Sequence, residues 1–356
     1  MERRGLVVRR ALGHRLLVVA AAATALFAVT VLAALGGYAA SVTGEGLRTT
    51  LAGATFNGAG TRVSTAVPAR SIPAEQRKVS AALAKVYGHI PVAISLSARG
   101  DSYVLPGQEH STHPQLTTFA TYSGIEAHAR LTAGRWPAAT TAAYGGKAVE
   151  TALPVAAARA MRLAPGRTVT LHSRVGGAPV SVRVTGLFEA RRADDYFWGG
   201  DRLVTTGVAR LGYTTFGPLV VPPATFTSRF TTSVTARWLV LPALQDVPAG
   251  RLSEVAARAR ALPDALGSST SGGSGYTVRS SVSDLLDQVG RALLVSRSTL
   301  LIPVLQLVVL AVYTLMLVAR LLAEHRRVEV TLMRARGASG RQIAGLAVGE
   351  GLLLSA

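Results

Sequence analysis

Two long apolar runs without a charged residue constrain this chain more than any other feature. They occupy residues 16–40 and 300–319. About 20 consecutive apolar residues are enough for a helix to cross a lipid bilayer. Pro303 and Gln306, inside the second run, are tolerated where such helices pack together. The pattern therefore predicts a membrane protein with α-helical transmembrane segments at residues 16–40 and 298–320.

The placement of basic residues predicts an orientation for these segments. Residues 1–15 contain five arginines and one acidic residue, and residues 320–341 contain six arginines and two acidic residues. Basic residues beside a span mark its cytoplasmic side. We therefore expect a multi-pass protein of the cell membrane, in contact with membrane lipid. Residues 1–15 form a cytoplasmic tail, and residues 41–297 are extracytoplasmic.

The formal net charge of +19 also raises the question of nucleic-acid binding. Within residues 41–297 the basic residues are spread thinly, and the sequence has no basic stripe with interleaved aromatic residues. Such a stripe is the usual footprint of a nucleic-acid surface. We therefore expect no nucleic-acid partner.

Residues 41–297 predict a large α+β domain, because strand-like and helix-like patterns alternate there. The predicted elements are strands over 61–67 and 90–98, helices over 74–87 and 154–163, a hairpin around residues 176–177, a Gly/Ser linker near 263–276 and a stalk helix over 278–297. In the second strand of the hairpin, alternation places three valines in the core. It places Ser181, Arg183 and Thr185 in water.

The sequence offers little support for chemistry at a catalytic or metal site. It contains no cysteine and no motif typical of serine hydrolases, zinc proteases, EF-hands or phosphate-binding loops. We expect no enzymatic activity, no catalytic residue, no metal and no cofactor in this chain. The sequence EHSTH at residues 109–113 fits no standard metal spacing, so a solvated loop is favoured and its role stays open. Asp194, Asp195 and Asp201 have the chemistry to bind a cation, but they are interpreted as solubilising loop residues beside two aromatic residues.

Residues 321–341 predict a short cytoplasmic helix followed by a tight turn. Leu321, Val328, Leu332 and Ala335 fall on one helical face. Gly337 suits the left-handed position after a helix. An exposed apolar stripe on a short helix is typical of a docking surface for a partner groove.

Residues 342–356 predict the start of a third transmembrane helix. Ser339 and Gln342 have the spacing of a capping box, which marks the beginning of a helix. An apolar sequence follows, and Glu350 lies within it. An acid inside a membrane is costly and usually functional, so Glu350 is a candidate site residue.

The sequence RRVEVTLMRARGASGRQIAGLAVGEGLLL, at residues 326–354, resembles the signature of the FtsX-like permease family of ABC transporters. That family includes MacB-like permeases. More loosely, LTAGRWP at residues 131–137 and VTGLF at residues 184–188 resemble the periplasmic core domain of MacB-like members. Complete members have at least four spans, so the resemblance also implies that this chain is truncated at its C-terminus.

The resemblance implies a permease subunit that pairs with a second permease subunit and with a separate cytosolic ABC ATPase. ATP would be bound and hydrolysed by that partner. Its movement would be transmitted to the extracytoplasmic domain, for export or mechanotransmission, with cargo and direction left open. The implied ATPase-coupling residues are Arg327, Val328, Glu329, Leu332, Met333, Arg334, Gly337, Ser339 and Gln342.

Two other classes of protein are alternatives to a permease. A two-span membrane sensor would bind a ligand through its extracytoplasmic domain, but it predicts a signalling region after residue 320. The chain instead becomes apolar again at Ile343. An anchored extracytoplasmic enzyme would need a catalytic constellation in residues 41–297, and the sequence suggests none.

Overall fold

A computed structural model describes residues 15–140, 148–230, 232–267 and 275–335. The chain divides into two compact units. One unit is Leu47–Gly290 and contains all the described strands. The other comprises residues 1–46 and 291–356, and its described part is helical.

The strands and helices alternate irregularly along the described residues. The strands are β1 (Thr61–Pro68), β2 (Val92–Val104), β3 (Leu116–Tyr122), β4 (Ala129–Gly134), β5 (Val149–Pro154), β6 (Thr168–Ser173), β7 (Val180–Ala190), β8 (Val208–Leu211), β9 (Tyr213–Val220), β10 (Ser233–Pro242) and β11 (Thr277–Ser280). The α-helices are α1 (Arg15–Ala52), α2 (Phe56–Ala59), α3 (Ile72–Tyr87), α4 (Ile125–His128), α5 (Val155–Met161), α6 (Arg202–Thr206), α7 (Pro223–Arg229), α8 (Leu252–Arg260), α9 (Leu262–Ala265) and α10 (Val282–Ala335). Short 3₁₀ turns lie at Ala69–Ser71, Tyr196–Trp198, Leu244–Asp246 and Ala249–Arg251.

One mixed sheet organises the unit Leu47–Gly290. Nine strands follow the order β11-β1-β10-β2-β3-β9-β5-β7-β4, and β8 pairs with β9. The β3–β9 and β5–β7 pairs are parallel, and the other pairs are antiparallel. Strand β6 pairs with both β2 and β7, so the sheet curls back on itself.

Helix α3 shows how the local sequence sets an element of this fold. Pro73 lies in its first turn, where the missing N–H has no intrahelical partner to lose. Glu75 also lies in the first turn, where a negative charge is favourable. Gly88 ends the helix with a φ of 58°. The predicted apolar face, Ala82, Leu83, Val86 and Tyr87, is buried, so this prediction is confirmed.

The hairpin predicted around residues 176–177 is formed by β6 and β7, with one exception in its expected alternation. Val182 and Val184 are fully buried and Ser181 and Arg183 are exposed, as predicted, while Val180 is only half-buried. Thr185 is buried instead of exposed. The register between β5 and β7 skips this residue, so a bulge reverses the side of the sheet on which it lies.

The expected architecture of transmembrane helices beside an α+β domain is wrong: the structure is a sheet-rich α/β fold with eleven strands in its described residues. Within those residues, no helix combines the length and the apolar character that a bilayer crossing requires. The prediction took two uncharged runs of about 20 apolar residues, 16–40 and 300–319, as sufficient evidence for bilayer crossings. The multi-pass placement in the cell membrane depended on the same spans, and it is overturned with them.

Helix α10 also differs from the predicted division of the C-terminal part. Residues 277–280, placed partly in a stalk helix by the sequence, form strand β11. A single helix then runs from Val282 to Ala335, with Pro303 inside it. The described part of residues 321–341 is thus continuous with the preceding helix.

Candidate functional site

The ATPase-coupling residues predicted from sequence fall at the end of the described chain. Arg327, Val328, Glu329, Leu332, Met333 and Arg334 belong to α10, which ends at Ala335. Gly337, Ser339, Gln342 and Glu350 lie outside the described residues. The two caps and the third helix predicted there therefore remain predictions.

The two sequences that loosely resemble a periplasmic core domain are in contact with each other. The N–H of Arg135 donates to the carbonyl of Thr185 at 2.9 Å. Gly134 has a φ of 73°, and a Cβ at this position would lie 2.1 Å from the same carbonyl oxygen. Only glycine fits this crossing of the end of β4 over β7.

Arg135 also fixes the loop after β4. Its guanidinium donates to both carboxylate oxygens of Glu150, at 2.8 and 2.5 Å. Glu150 in turn accepts the N–H of Ala138 at 2.9 Å. The hydrogen bond from Arg135 is the main cause that lowers the pKa of Glu150. These contacts explain the sequence LTAGRWP as a structural clamp.

A pocket of about 400 Å³ lies beside this clamp, within the unit Leu47–Gly290. The indole of Trp136 forms part of it and packs 5.7 Å from the ring of Phe188. The other lining residues are Tyr122, Gly124, Ile125, Glu126, Ala127, Pro137, Val220, Val221, Pro222 and Pro223. Its walls are mainly apolar, with one carboxylate, so it suits an apolar side chain of a ligand or partner.

Asp201 holds a buried polar network between strands β2 and β3. Its carboxylate accepts a hydrogen bond from the hydroxyl of Tyr122 at 2.6 Å and forms an ion pair with Arg99. It also caps α6 by accepting the N–H of Leu203 at 3.1 Å. Burial raises the pKa of Tyr122 to about 12, so this phenol stays protonated and donates.

Asp195 fixes the turn that precedes Asp201. It accepts the N–H of Phe197 at 3.0 Å and contacts the Nδ1 of His128 at 2.9 Å. The imidazole of His128 stacks on Phe197 with 3.8 Å between centroids. Burial alone would raise the pKa of Asp195, but the Phe197 N–H, His128 and Arg192 together lower it.

The interpretation of the aspartates as solubilising residues is thus wrong for two of the three. The side chains of Asp195 and Asp201 are only 7% and 9% exposed, and both are hydrogen-bonded caps. Asp194 is exposed, as expected. In the EHSTH loop, Glu109 accepts the N–H of Gly107 and lies 3.5 Å from His172. The described residues contain no group of three or more His, Cys, Asp or Glu that could hold a metal.

Sequence analysis missed a concentration of arginines on the sheet. Arg279, Arg62, Arg237 and Arg99 lie on β11, β1, β10 and β2, which are neighbours in that order. We call the side of the sheet that bears them the arginine face. In each strand these arginines alternate with residues of the opposite side, but only the register between strands brings them together.

No family model matches this chain, and no curated protein matches it either. Among solved structures, it is similar to a domain of a protein classed as a permease from Porphyromonas gingivalis. The similarity covers 64% of this chain and 92% of that domain, with 11% sequence identity and a TM-score of 0.30. A likeness this remote does not establish a shared function.

Proposed function

We propose that this chain is the non-hydrolysing component of an ABC-type permease system. In this proposal, the coupling residues within 327–342 bind a separate ATPase, which binds and hydrolyses ATP. The unit Leu47–Gly290 binds a partner or cargo molecule, and a second copy of the chain completes the assembly. The chain itself is not an enzyme in this proposal.

The sequence of residues 326–354 carries the proposal. It combines an apolar stripe at Val328 and Leu332, flanking arginines, a Gly-Ala-Ser turn at residues 337–339 and Gln342 at capping distance. A short apolar stripe surrounded by charge is suited to a groove on a partner protein. The helical backbone of α10 through Ala335 is compatible with this use of the first six coupling residues.

The unit Leu47–Gly290 supports the binding role through its contacts. Several of its polar side chains already make hydrogen bonds within the fold. Among them are Arg135 and Glu150 in the clamp, and the caps Asp195 and Asp201. The pocket beside Trp136 offers an apolar recess on the same unit. Recognition of a partner is a more direct use of these features than catalysis.

Co-purification of the tagged chain with an ATPase tests the proposal. We expect an ATPase of the same source to accompany the chain, and we expect Leu332→Asp to reduce its recovery at least about tenfold, since a charge would enter the apolar contact. Leu294→Asp is the matched control, because Leu294 lies on the same helix outside the coupling segment and is 65% exposed. Equal ATPase recovery with Leu332→Asp and with the unmodified chain would overturn the proposal.

A further inference from the structure

The strand register places four arginines on the same side of the sheet. Directly opposed residues of antiparallel strands point to the same side. Arg62 is opposite Arg279, and Ser64, two residues further along β1, is opposite Arg237. Arg237 is opposite Ser97, two residues before Arg99. The arginine face therefore spans four adjacent strands.

Only one of these arginines has a carboxylate partner. Arg99 pairs with Asp201. Among the described residues, no carboxylate forms an ion pair with Arg62, Arg237 or Arg279. The Nε of Arg62 is buried and has no hydrogen-bond partner in that part of the chain. The buried donor and the three unmatched charges are suited to an anionic ligand.

The arrangement is unfavourable for the protein alone. Like charges directly opposite each other on a sheet are destabilising, as for Arg62 and Arg279. Burial lowers the pKa of Arg62, and the charges of Arg237 and Arg279 lower it further. Burial also lowers the pKa of Arg99, and the charge of Arg237 lowers it further. Natural proteins keep such locally unfavourable arrangements mainly at functional sites.

Aromatic rings and a close turn border the arginines on one side. The guanidinium of Arg62 lies 6.0 Å from the ring of Phe56, which stacks on Tyr196 at 5.3 Å. Gly199 sits against Arg237, since a Cβ there would lie 3.3 Å from its Nη1. This border reduces access of water to one flank of the arginines, and a lower local polarity strengthens ionic contacts.

We propose that Arg62, Arg237 and Arg279 bind a multivalent oxyanion of the phosphate class. Their strands are neighbours about 4.8 Å apart, with Arg279 opposite Arg62 and Arg237 diagonal to it, so the three side chains start close enough to reach one ligand with several charged oxygens. Guanidinium groups donate in pairs to phosphate oxygens. The phosphate belongs to a small anion such as pyrophosphate or to a phospholipid headgroup. The site lies within Leu47–Gly290 and is independent of the ATPase-coupling proposal.

Calorimetric titration of the purified 356-residue chain with sodium pyrophosphate at constant ionic strength tests the site. We expect saturable binding, and we expect Arg62→Gln and Arg237→Gln each to raise the dissociation constant at least about tenfold. Arg210→Gln is the matched control. Arg210 is exposed on β8, so this substitution removes the same charge away from the proposed site. If Arg62→Gln does not fold, as judged by circular dichroism, the exposed Arg279 provides the decisive variant, Arg279→Gln.

A vesicle-sedimentation experiment distinguishes the two sources of phosphate. Vesicles of phosphatidylcholine with and without phosphatidylglycerol are sedimented with the chain and the same variants. Loss of binding in Arg62→Gln but not in Arg210→Gln, with either ligand, supports the site and identifies the source. Absence of binding to both ligands, or an equal loss in Arg210→Gln, overturns it.

Discussion

Strands β11, β1, β10 and β2 have two sides that differ in burial and charge, although alternate residues of the same strands form both. On one side, Val63 and Trp238 are completely buried. The indole N–H of Trp238 donates to Gln76 of helix α3. We call this side the packed face. On the other side, the arginine face carries half-buried and exposed arginines that have one carboxylate partner among the described residues.

The packed face stabilises the folded domain, and the arginine face lowers its stability. The packed face removes apolar surface from water, which is the main favourable contribution to folding. The arginine face adds repulsion between like charges. A side of the sheet that only had to be solvated would mix the two signs of charge. The following predictions test this contrast, starting with the largest effect.

Trp238→Ala should have the largest effect on stability. It removes a fully buried indole and the hydrogen bond to Gln76, so we expect a loss of about 3–5 kcal/mol in the free energy of unfolding. Urea denaturation measures this loss. Ser64→Ala, on the arginine face, is the comparison and should change stability by less than about 0.5 kcal/mol. A cost below about 1 kcal/mol for Trp238→Ala would remove the contrast between the two sides.

Asp201→Asn should have the next largest effect. Arg99 loses its ionic partner and the hydroxyl of Tyr122 loses its carboxylate acceptor, while the amide oxygen of asparagine can still cap α6. Because Arg99 is partly exposed, we expect a loss of about 2 kcal/mol. Asp194→Asn, at an exposed position of the neighbouring loop, is the control. Equal losses in the two variants would show that Arg99 does not depend on Asp201.

Asp195 predicts a dependence of stability on pH. Its pKa is lowered in the folded chain, so its contribution is fully present above the unfolded-state pKa of about 3.9. The contribution is lost as the pH falls through the lowered folded value. We expect Asp195→Asn to cost about 0.5–1 kcal/mol at pH 7, because the amide keeps the cap but removes the negative charge that faces His128 and Arg192. In urea titrations, the difference from the unmodified chain should shrink as the pH falls below about 3.9, and a difference that grows in acid would refute this assignment.

Arg279→Gln should have the smallest effect, and it should stabilise the chain. It removes the like-charge pair with Arg62, so we expect a gain of up to about 0.5 kcal/mol in the absence of a ligand. The gain should shrink in 1 M salt, where charges are screened beyond about 3 Å. Thermal unfolding at two salt concentrations measures it. Destabilisation at low salt would contradict the repulsion inferred for the arginine face.

The parts of this fold that were predictable from sequence are local. Helix α3 and the β6–β7 hairpin follow from patterns within about 20 residues, and both are formed. The error at Thr185 arose because its burial depends on a bulge against β5, which the sequence of β7 does not encode. The predicted spans at residues 16–40 and 298–320 are also wrong. The prediction took the local hydropathy of each segment as sufficient evidence for a bilayer crossing.

The arginine face could not be predicted because its pairings are distant in sequence. Arg62 meets Arg279 only through the pairing of the first and last strands. Along the chain these arginines appear scattered, and charge counting found no stripe. Asp201 was likewise misjudged, since its partners Arg99 and Tyr122 come from strands about 80–100 residues earlier. The coupling residues followed from sequence resemblance, and they remain to be tested by the ATPase experiment.

The pairing of the first strand with the last also has a mechanical consequence. Thr61 begins β1 and lies opposite Ser280, which ends β11. Both ends of the folded sheet therefore leave from one edge, side by side. A pull on the two flanking segments would first have to free residues that are buried in the same unit, such as Leu51 and Leu286, and would then separate this four-residue ladder starting from Thr61 and Ser280. Once those residues are free, force would detach the short strand β11 and expose one edge of β1, including Arg62.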